Sequence, residues 1–491
     1  MRFHFFYALA LCAPLLAAGG CTVNPATGEQ NFTAFMSRAD EIEAGKKEHP
    51  KILKQFGGVY PDKELGDYVR RIGLSLARVS EVTDLPYTFT VLNDDKVNAM
   101  AMPGGYVYIT RGLLALAGDE AEMAGVLAHE IGHITARHTA QRYSQAMAAN
   151  LGLTIIGILG VLPPGAGNLV SYGAQAVIQG YSREQELESD MLAVRYLARA
   201  GYDTAAMSGF FRKMEGHEKL RKAMAQNPGA KDPYNIMSSH PRTVQRIEQA
   251  VKLAGATPAK NPKLGRDEFL ASIDGMVFGD DLSQGVSRGR VFAHPGLGVL
   301  FKVPPGFVMF NSAKQLIARG PGGAAIVFDM ADSKKAPRIG DLRRYLISDW
   351  GGRHDMRNVE RIQINSMEAA TGSTRRRSAN GSIEDLRLVA IRETRDKIYR
   401  FVFLSPTSLT ARMEREFQRT TYSFRKMSKS EAAAVRPLRI RILMVKPGDT
   451  IEGLSANMPI EKFAKPWFEL LNGLNPGQPL APGRKVKVIA E

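Results

Sequence analysis

Cysteine is nearly missing from this chain, with two residues in 491, Cys12 and Cys21. That scarcity excludes a disulfide framework. Long hydrophobic runs are also missing. The two apolar stretches, Phe5 to Ala18 and Leu151 to Leu162, are both too short to cross a bilayer. The second holds three glycines and stops at Pro163-Pro164-Gly165, so it reads as a buried helix, with a flexible or membrane-touching lid as the alternative. There is no internal repeat and hence no tetratricopeptide array. Acidic residues fall short of basic ones, 49 against 65, and the net charge of +16 suits an anionic environment rather than a nucleic-acid enzyme.

What is present centres on one segment, His129-Glu130-Ile131-Gly132-His133. Residues four apart share a helix face, so both imidazoles can reach one ion. Glu130 points about a hundred degrees away, into the space in front of that ion. Two neutral imidazoles and one further ligand leave a tetrahedral position open for water, which a hydrolytic zinc site needs. Asp119 and Glu122, after Gly118, read as a capping box that opens this helix, and Met123, Val126, Leu127, Ile131 and Ile134 give it an apolar stripe. A second helix opens with Ser182 and Gln185 and sets Glu186 and Asp190 one turn apart. One of these carboxylates can complete the ligands while the other holds an imidazole N–H. Glu184 and Glu188 read as a solvated face, and His138 lies off the ligand face. Tyr106, Val107, Tyr108 and Ile109 alternate after a Gly-Gly turn and read as an edge strand for an extended substrate, a core strand being the alternative.

Further residues extend the pattern. Asn98-Ala99 precedes Pro103-Gly104-Gly105, and Ser239-His240-Pro241 precedes Arg246. Together with H-E-x-x-H and the Ser182-Arg183, Glu186, Asp190 spacing, they resemble the zinc endopeptidase family of bacterial HtpX, BepA-type periplasmic proteases and the CAAX prenyl-protein proteases. The resemblance covers about residues 35 to 255. It implies one zinc per chain bound by His129, His133 and Glu186, with Glu130 as catalytic base and Asp190 as a proton donor. The spacing alone favours Asp190 as the group that orients a ligand histidine, and both roles stand open. His240 stands open too, as a fourth ligand, an oxyanion contact or a packed structural histidine. HtpX and the prenyl-protein proteases carry membrane spans that this sequence lacks.

Met1 to Gly20 reads as a signal peptide, and the small residues before Cys21 resemble a bacterial lipoprotein cleavage site. Cys21 would then be lipidated, and Thr22 after it resembles outer-membrane sorting. Residues 21–34 form a tether, 35–255 a mainly α-helical zincin-type peptidase domain with a small sheet, and 256–289 a linker. Residues 290–427 alternate strands, best at Val299 to Val303, Phe307 to Phe310, Ala324 to Met330, Leu386 to Ile391 and Ile398 to Leu404, with helices near Ile339 to Trp350 and Leu409 to Thr421. This is an α+β domain with no metal, nucleophile or phosphate-loop signature, assigned to binding or positioning. Arg375-Arg376-Arg377 reads as a solvated loop. Residues 436–491 resemble a βααβ LysM module, whose family binds glycans such as peptidoglycan; the usual closing isoleucine-proline is missing.

The chain is thus expected to be a lipid-anchored zinc endopeptidase of the bacterial periplasm, acting on unfolded or misassembled envelope proteins in quality control or maturation. A non-proteolytic envelope chaperone and a peptidoglycan-binding wall protein are the alternatives. A binding-only fold has no need of the general base Glu130.

Overall fold

The computed structural model describes residues 21–28, 30–32, 36–144, 180–225, 240, 246, 248–249, 252, 260–332, 334, 336, 339–352, 355–378, 381–475 and 477–491. The signal-peptide stretch with Cys12, the Leu151 to Leu162 run, Ser239 and Pro241 lie outside them. The chain divides into two compact units, one formed by the chain up to Met276 with Arg439–Ala490, the other by Val277–Leu438. No described helix is long and apolar enough to cross a membrane.

The first unit begins with a short antiparallel pair, β1 (Cys21–Val23) and β2 (Gln30–Phe32). Helices α1 (Arg38–Gln55) and α2 (Lys63–Arg78) follow, then β3 (Thr88–Leu92), β4 (Ala99–Met102) and β5 (Tyr106–Thr110). The strand order is β3-β5-β4, with β5 parallel to β3 and antiparallel to β4. Tyr106 to Ile109 is therefore a central strand, not the expected edge. Val107, Tyr108 and Ile109 are buried, as a strand flanked on both sides requires. The outer strand beside it is β4. Pro103-Gly104-Gly105 turns β4 into β5 with φ of 80° and 90° at the glycines. A side chain on Gly104 would also meet the Glu41 carbonyl at 2.7 Å.

A short helix, α3 (Arg111–Leu116), leads to α4 (Glu120–Thr135), which carries the histidine motif and is buried at every residue. Asp119 caps it through Glu122 N at 2.8 Å, but the Glu122 carboxylate reaches Gly118 N (2.7 Å) and Lys213 (2.8 Å) rather than closing the expected box. Helix α5 (Arg183–Arg199) does open with the reciprocal Ser182–Gln185 box. Helix α6 (Ala206–Ala225) packs on α4, and α7 (Arg266–Ile273) buries Phe269, Leu270 and Ile273 inside the stretch expected as linker.

The tail supplies β17 (Leu438–Met444), α9 (Ile451–Ala456), α10 (Ala464–Asn472) and β18 (Lys485–Ala490), with β17 and β18 antiparallel. The tail thus runs β-α-α-β along the chain. It packs on the rest of its unit: Lys487 is buried and donates to the Ala115 and Ala117 carbonyls at 2.6 and 2.7 Å, capping the end of α3. Burial holds the Lys487 ammonium well below its ordinary pKa.

In the second unit, β6 (Val286–Arg288), β7 (Val291–His294), β8 (Val299–Lys302), β9 (Val308–Phe310), β10 (Leu316–Arg319), β11 (Ala325–Met330), β12 (Arg357–Ile364), β13 (Met367–Arg377), β14 (Ile383–Thr394), β15 (Lys397–Pro406) and β16 (Arg425–Lys426) form two antiparallel sheets, ordered β9-β10-β11-β15-β14-β13-β12 and β16-β8-β7-β6. Helix α8 (Thr410–Ser423) buries Met413 and Phe417 in a core of aromatic rings, among them Phe301, Phe328 and Phe401. The expected arginine loop is the end of β13. Arg375 and Arg376 pair across the sheet with Asp385 (2.8 Å) and Glu384 (3.1 Å), which holds an exposed strand end without apolar alternation.

His217 on α6 meets Trp467 on α10 with ring centroids 5.7 Å apart. Burial, and then the nearby Arg221, lower its pKa from 6.5 to about 3. Between those values the unfolded chain binds the proton and the folded one does not. The His217 contribution is therefore full above 6.5 and lost as pH falls towards 3, by roughly 2 kcal/mol at pH 5. Thermal melts of wild type against His217→Gln should show a steeper fall in Tm between pH 7 and 5 in wild type; parallel curves would refute this.

Candidate metal centre

The helix pair α4 and α5 builds the site. The two helices approach closely at Gly132, where a Cβ would lie 2.7 Å from Ser189 Oγ and 3.1 Å from the Ser189 carbonyl oxygen. Ser189 Oγ in turn donates to the His129 carbonyl. At this spacing the α5 carboxylates reach the α4 imidazoles. His129, His133, Glu186 and His240 offer four donor atoms within 4.8 Å of one another, all buried.

The individual separations are those of donors around one small cation. His129 Nε2 lies 3.1 Å from His133 Nε2 and 3.2 Å from His240 Nδ1. Glu186 Oε1 lies 2.7 Å from His240 Nδ1 and 3.3 Å from His133 Nε2. Zinc bonds of about 2.0–2.1 Å at tetrahedral angles put neighbouring donors about 3.3 Å apart. Charge makes the same case. Glu130, Glu186 and Asp190 carry three negative charges when ionised and Arg246 one positive, with all four side chains buried. A divalent ion balances the remainder. Three nitrogens and a carboxylate oxygen are donors that zinc accepts, so the residues fit the ion.

The surroundings hold each donor in place. Asp190 Oδ1 lies 2.9 Å from His129 Nδ1, and Arg246 clamps both Asp190 oxygens at 2.6 and 2.7 Å. Burial pushes the Asp190 pKa up, but Arg246 and His129 lower it further, so the group is charged. Arg246 Nη1 also sits 2.5 Å from Glu186 Oε2. Burial raises Glu186 too, yet His240, His133 and His129 hold it well below the ordinary range. Burial, with a smaller push from the His129 and His138 imidazoles and against the pull of Glu186, drives the His133 imidazole well below 6.5, towards the neutral form a ligand needs.

Glu130 is different. Its side chain is fully buried, neither oxygen makes a hydrogen bond of ordinary geometry among the described residues, and His240 Nε2 stands 3.4 Å from Oε1. Burial raises its pKa against the pull of His240 and His129, which suits a group that must take up a proton.

The structure brings together His129, Glu130, His133, Glu186, Asp190 and His240. Tyr106 to Ile109 stands apart, in the sheet centre. The sequence reading missed three contributors. Tyr181 stacks on His133 with centroids 3.7 Å apart at 14°. His138, set aside as off the ligand face, lies 2.9 Å from His133 Nδ1. Glu188, read as solvated, accepts from His138 at 3.0 Å. A histidine five residues beyond a ligand and a carboxylate two beyond another were the only signals for the last two.

Gly132→Ala should force α4 and α5 apart, at about 1–3 kcal/mol for overpacking. Calorimetry should then show a lower Tm and chelator competition a weaker metal affinity. Wild-type values for both would refute the contact's role.

Comparison with known proteins bears on the same segment. The model of peptidase family M48 matches residues 64–254. The beta-barrel assembly-enhancing protease of Yersinia pestis is 27% identical over 58% of this chain and 62% of its own length. That of Escherichia coli strain K12 is 29% identical over 45% of each chain. The mitochondrial metalloendopeptidase OMA1 of Saccharomyces cerevisiae is 30% identical over 48% of this chain and 72% of its own. The chain spans about half the length of the bacterial relatives. The M48 match embraces all four converging donors, and with it the chain belongs to peptidase family M48.

Proposed function

We propose that the protein is a zinc-dependent endopeptidase of the bacterial envelope, acting on unfolded or misassembled envelope proteins. The observation that carries this reading is a buried Glu130, without a hydrogen bond of ordinary geometry among the described residues, beside four converging donors. Zinc is the metal of M48 metalloproteases, and when bound by His129, His133 and Glu186 it supplies Lewis-acid polarisation of a carbonyl and of water. Glu130 takes the proton of the attacking water and returns it to the leaving amine. Asp190, charged and clamped by Arg246, orients His129 rather than donating a proton. An extended substrate pairs with β4, which has no strand on its other side among the described residues.

Lipidation at Cys21, release into the periplasm and outer-membrane sorting belong to the same proposal, supported by the sequence before Cys21. The names of the bacterial relatives, assembly-enhancing proteases for β-barrels, favour envelope proteins as substrates. The second unit serves binding or positioning. The LysM resemblance of the tail is supported by its βααβ order, with peptidoglycan as its ligand class.

His240 takes the fourth corner of the donor set in this reading. Its Nδ1 lies as near the other donors as a ligand does, and so holds the place that water needs. The enzyme is latent in that state, and His240 must withdraw for turnover.

Glu130→Gln should keep zinc, measured by metal analysis, and lose casein cleavage by about 10²–10⁴-fold. Full activity in clean mutant protein would refute the mechanism. His240→Ala should raise basal cleavage while zinc stays bound. A fall of about 10²–10³-fold would instead assign it to the oxyanion.

A further inference from the structure

A line of hydrogen bonds runs outward from His133. Its Nε2 faces the donor cluster, 3.1 Å from His129 Nε2, so Nδ1 carries the proton when Nε2 is a ligand. His133 Nδ1 lies 2.9 Å from His138 Nδ1, and His138 Nε2 lies 3.0 Å from Glu188 Oε2. The other Glu188 oxygen, Oε1, accepts from Asn24 Nδ2 at 2.7 Å. One proton arrangement satisfies every link: His133 donates to His138, His138 donates to Glu188, and the Glu188 carboxylate accepts from both sides. Asn24 and His138 are buried, and Asn24 Oδ1 is fixed by Ala26 N at 2.9 Å in the turn after β1.

The stacked Tyr181 ring holds the plane of the His133 imidazole but cannot choose between its two faces. A half-turn about the ring axis keeps the stacking and carries Nε2 away from the cluster. Before a metal is bound, a partner at Nδ1 resists that turn, together with Glu186 at Nε2. His129 meets Asp190 directly for the same purpose; among the described residues the partner at His133 Nδ1 is His138 rather than a carboxylate.

We infer that His138, Glu188 and Asn24 are positioning residues for His133, and that they tie the metal centre to the N-terminal segment just beyond Cys21. This rests on the zinc-site reading above. The position of that segment then sets how firmly one ligand is held.

The test uses full-length protein with His138→Gln, Glu188→Ala, Glu188→Gln and Asn24→Ala, beside His133→Ala. The readouts are zinc affinity by chelator competition, the visible absorption of the cobalt-substituted protein, and Tm without metal. His138→Gln and Glu188→Ala should weaken zinc about 10–100-fold and shift the cobalt bands. Glu188→Gln, which keeps an acceptor, should recover part of this, and Asn24→Ala should show a smaller change of the same sign. If His133→Ala loses zinc while Glu188→Ala and Asn24→Ala keep wild-type affinity and cobalt bands, the relay is wrong, even where Tm falls. If wild type binds no zinc, or His133→Ala retains it, the zinc-site reading fails and this inference with it.

Discussion

The approach of two helices at Gly132 governs the site. With no side chain at that position, α5 comes close enough to α4 for Ser189 to bond the His129 carbonyl. The carboxylates on either side of Ser189 are thereby set against the imidazoles on either side of Gly132. Glu186 lies three residues before Ser189 and Asp190 one after, so one reaches the donor cluster and the other the far nitrogen of His129. A wider crossing would separate all these groups together, because they share two rigid backbones.

Such a cluster is unfavourable to bury by itself. Removing ionised carboxylates from water is costly unless opposite charge and hydrogen bonds replace the solvent. Arg246 meets this need for Asp190 and Glu186, and its guanidinium also lies over the Phe211 ring, 5.5 Å from the centroid. Glu130 has no such close pair among the described residues, its nearest ionisable neighbour being His240 at 3.4 Å. The two clamped carboxylates are thus fixed in position, and Glu130 is held less tightly than either.

Most of the metal site was legible because its signals are local. Residues four apart on a helix must share a face, and Ser182 with Gln185 announces where α5 begins. The misread parts depend on partners distant in sequence. Tyr106 to Ile109 looks like an edge until β3 pairs with it in parallel, a pairing no hairpin turn signals. Glu188 looks solvated until His138 and Asn24 reach it from 50 and 164 residues away. The strand β12 escaped notice because an exposed, charged outer strand has no apolar alternation to detect. The docking of the tail depends on Lys487, which in sequence is one more cation near a turn.

The bond from Lys487 to the end of α3 joins residues 372 apart, with the whole second unit encoded between them. Chain order therefore becomes a clock. As synthesis proceeds, α3 and α4 emerge early but lack the cap at Ala115 and Ala117 until β18 has also emerged. The intervening unit, continuous in sequence, can fold first. Until Lys487 has emerged, the end of α3 waits for a donor that the chain encodes 372 residues further on.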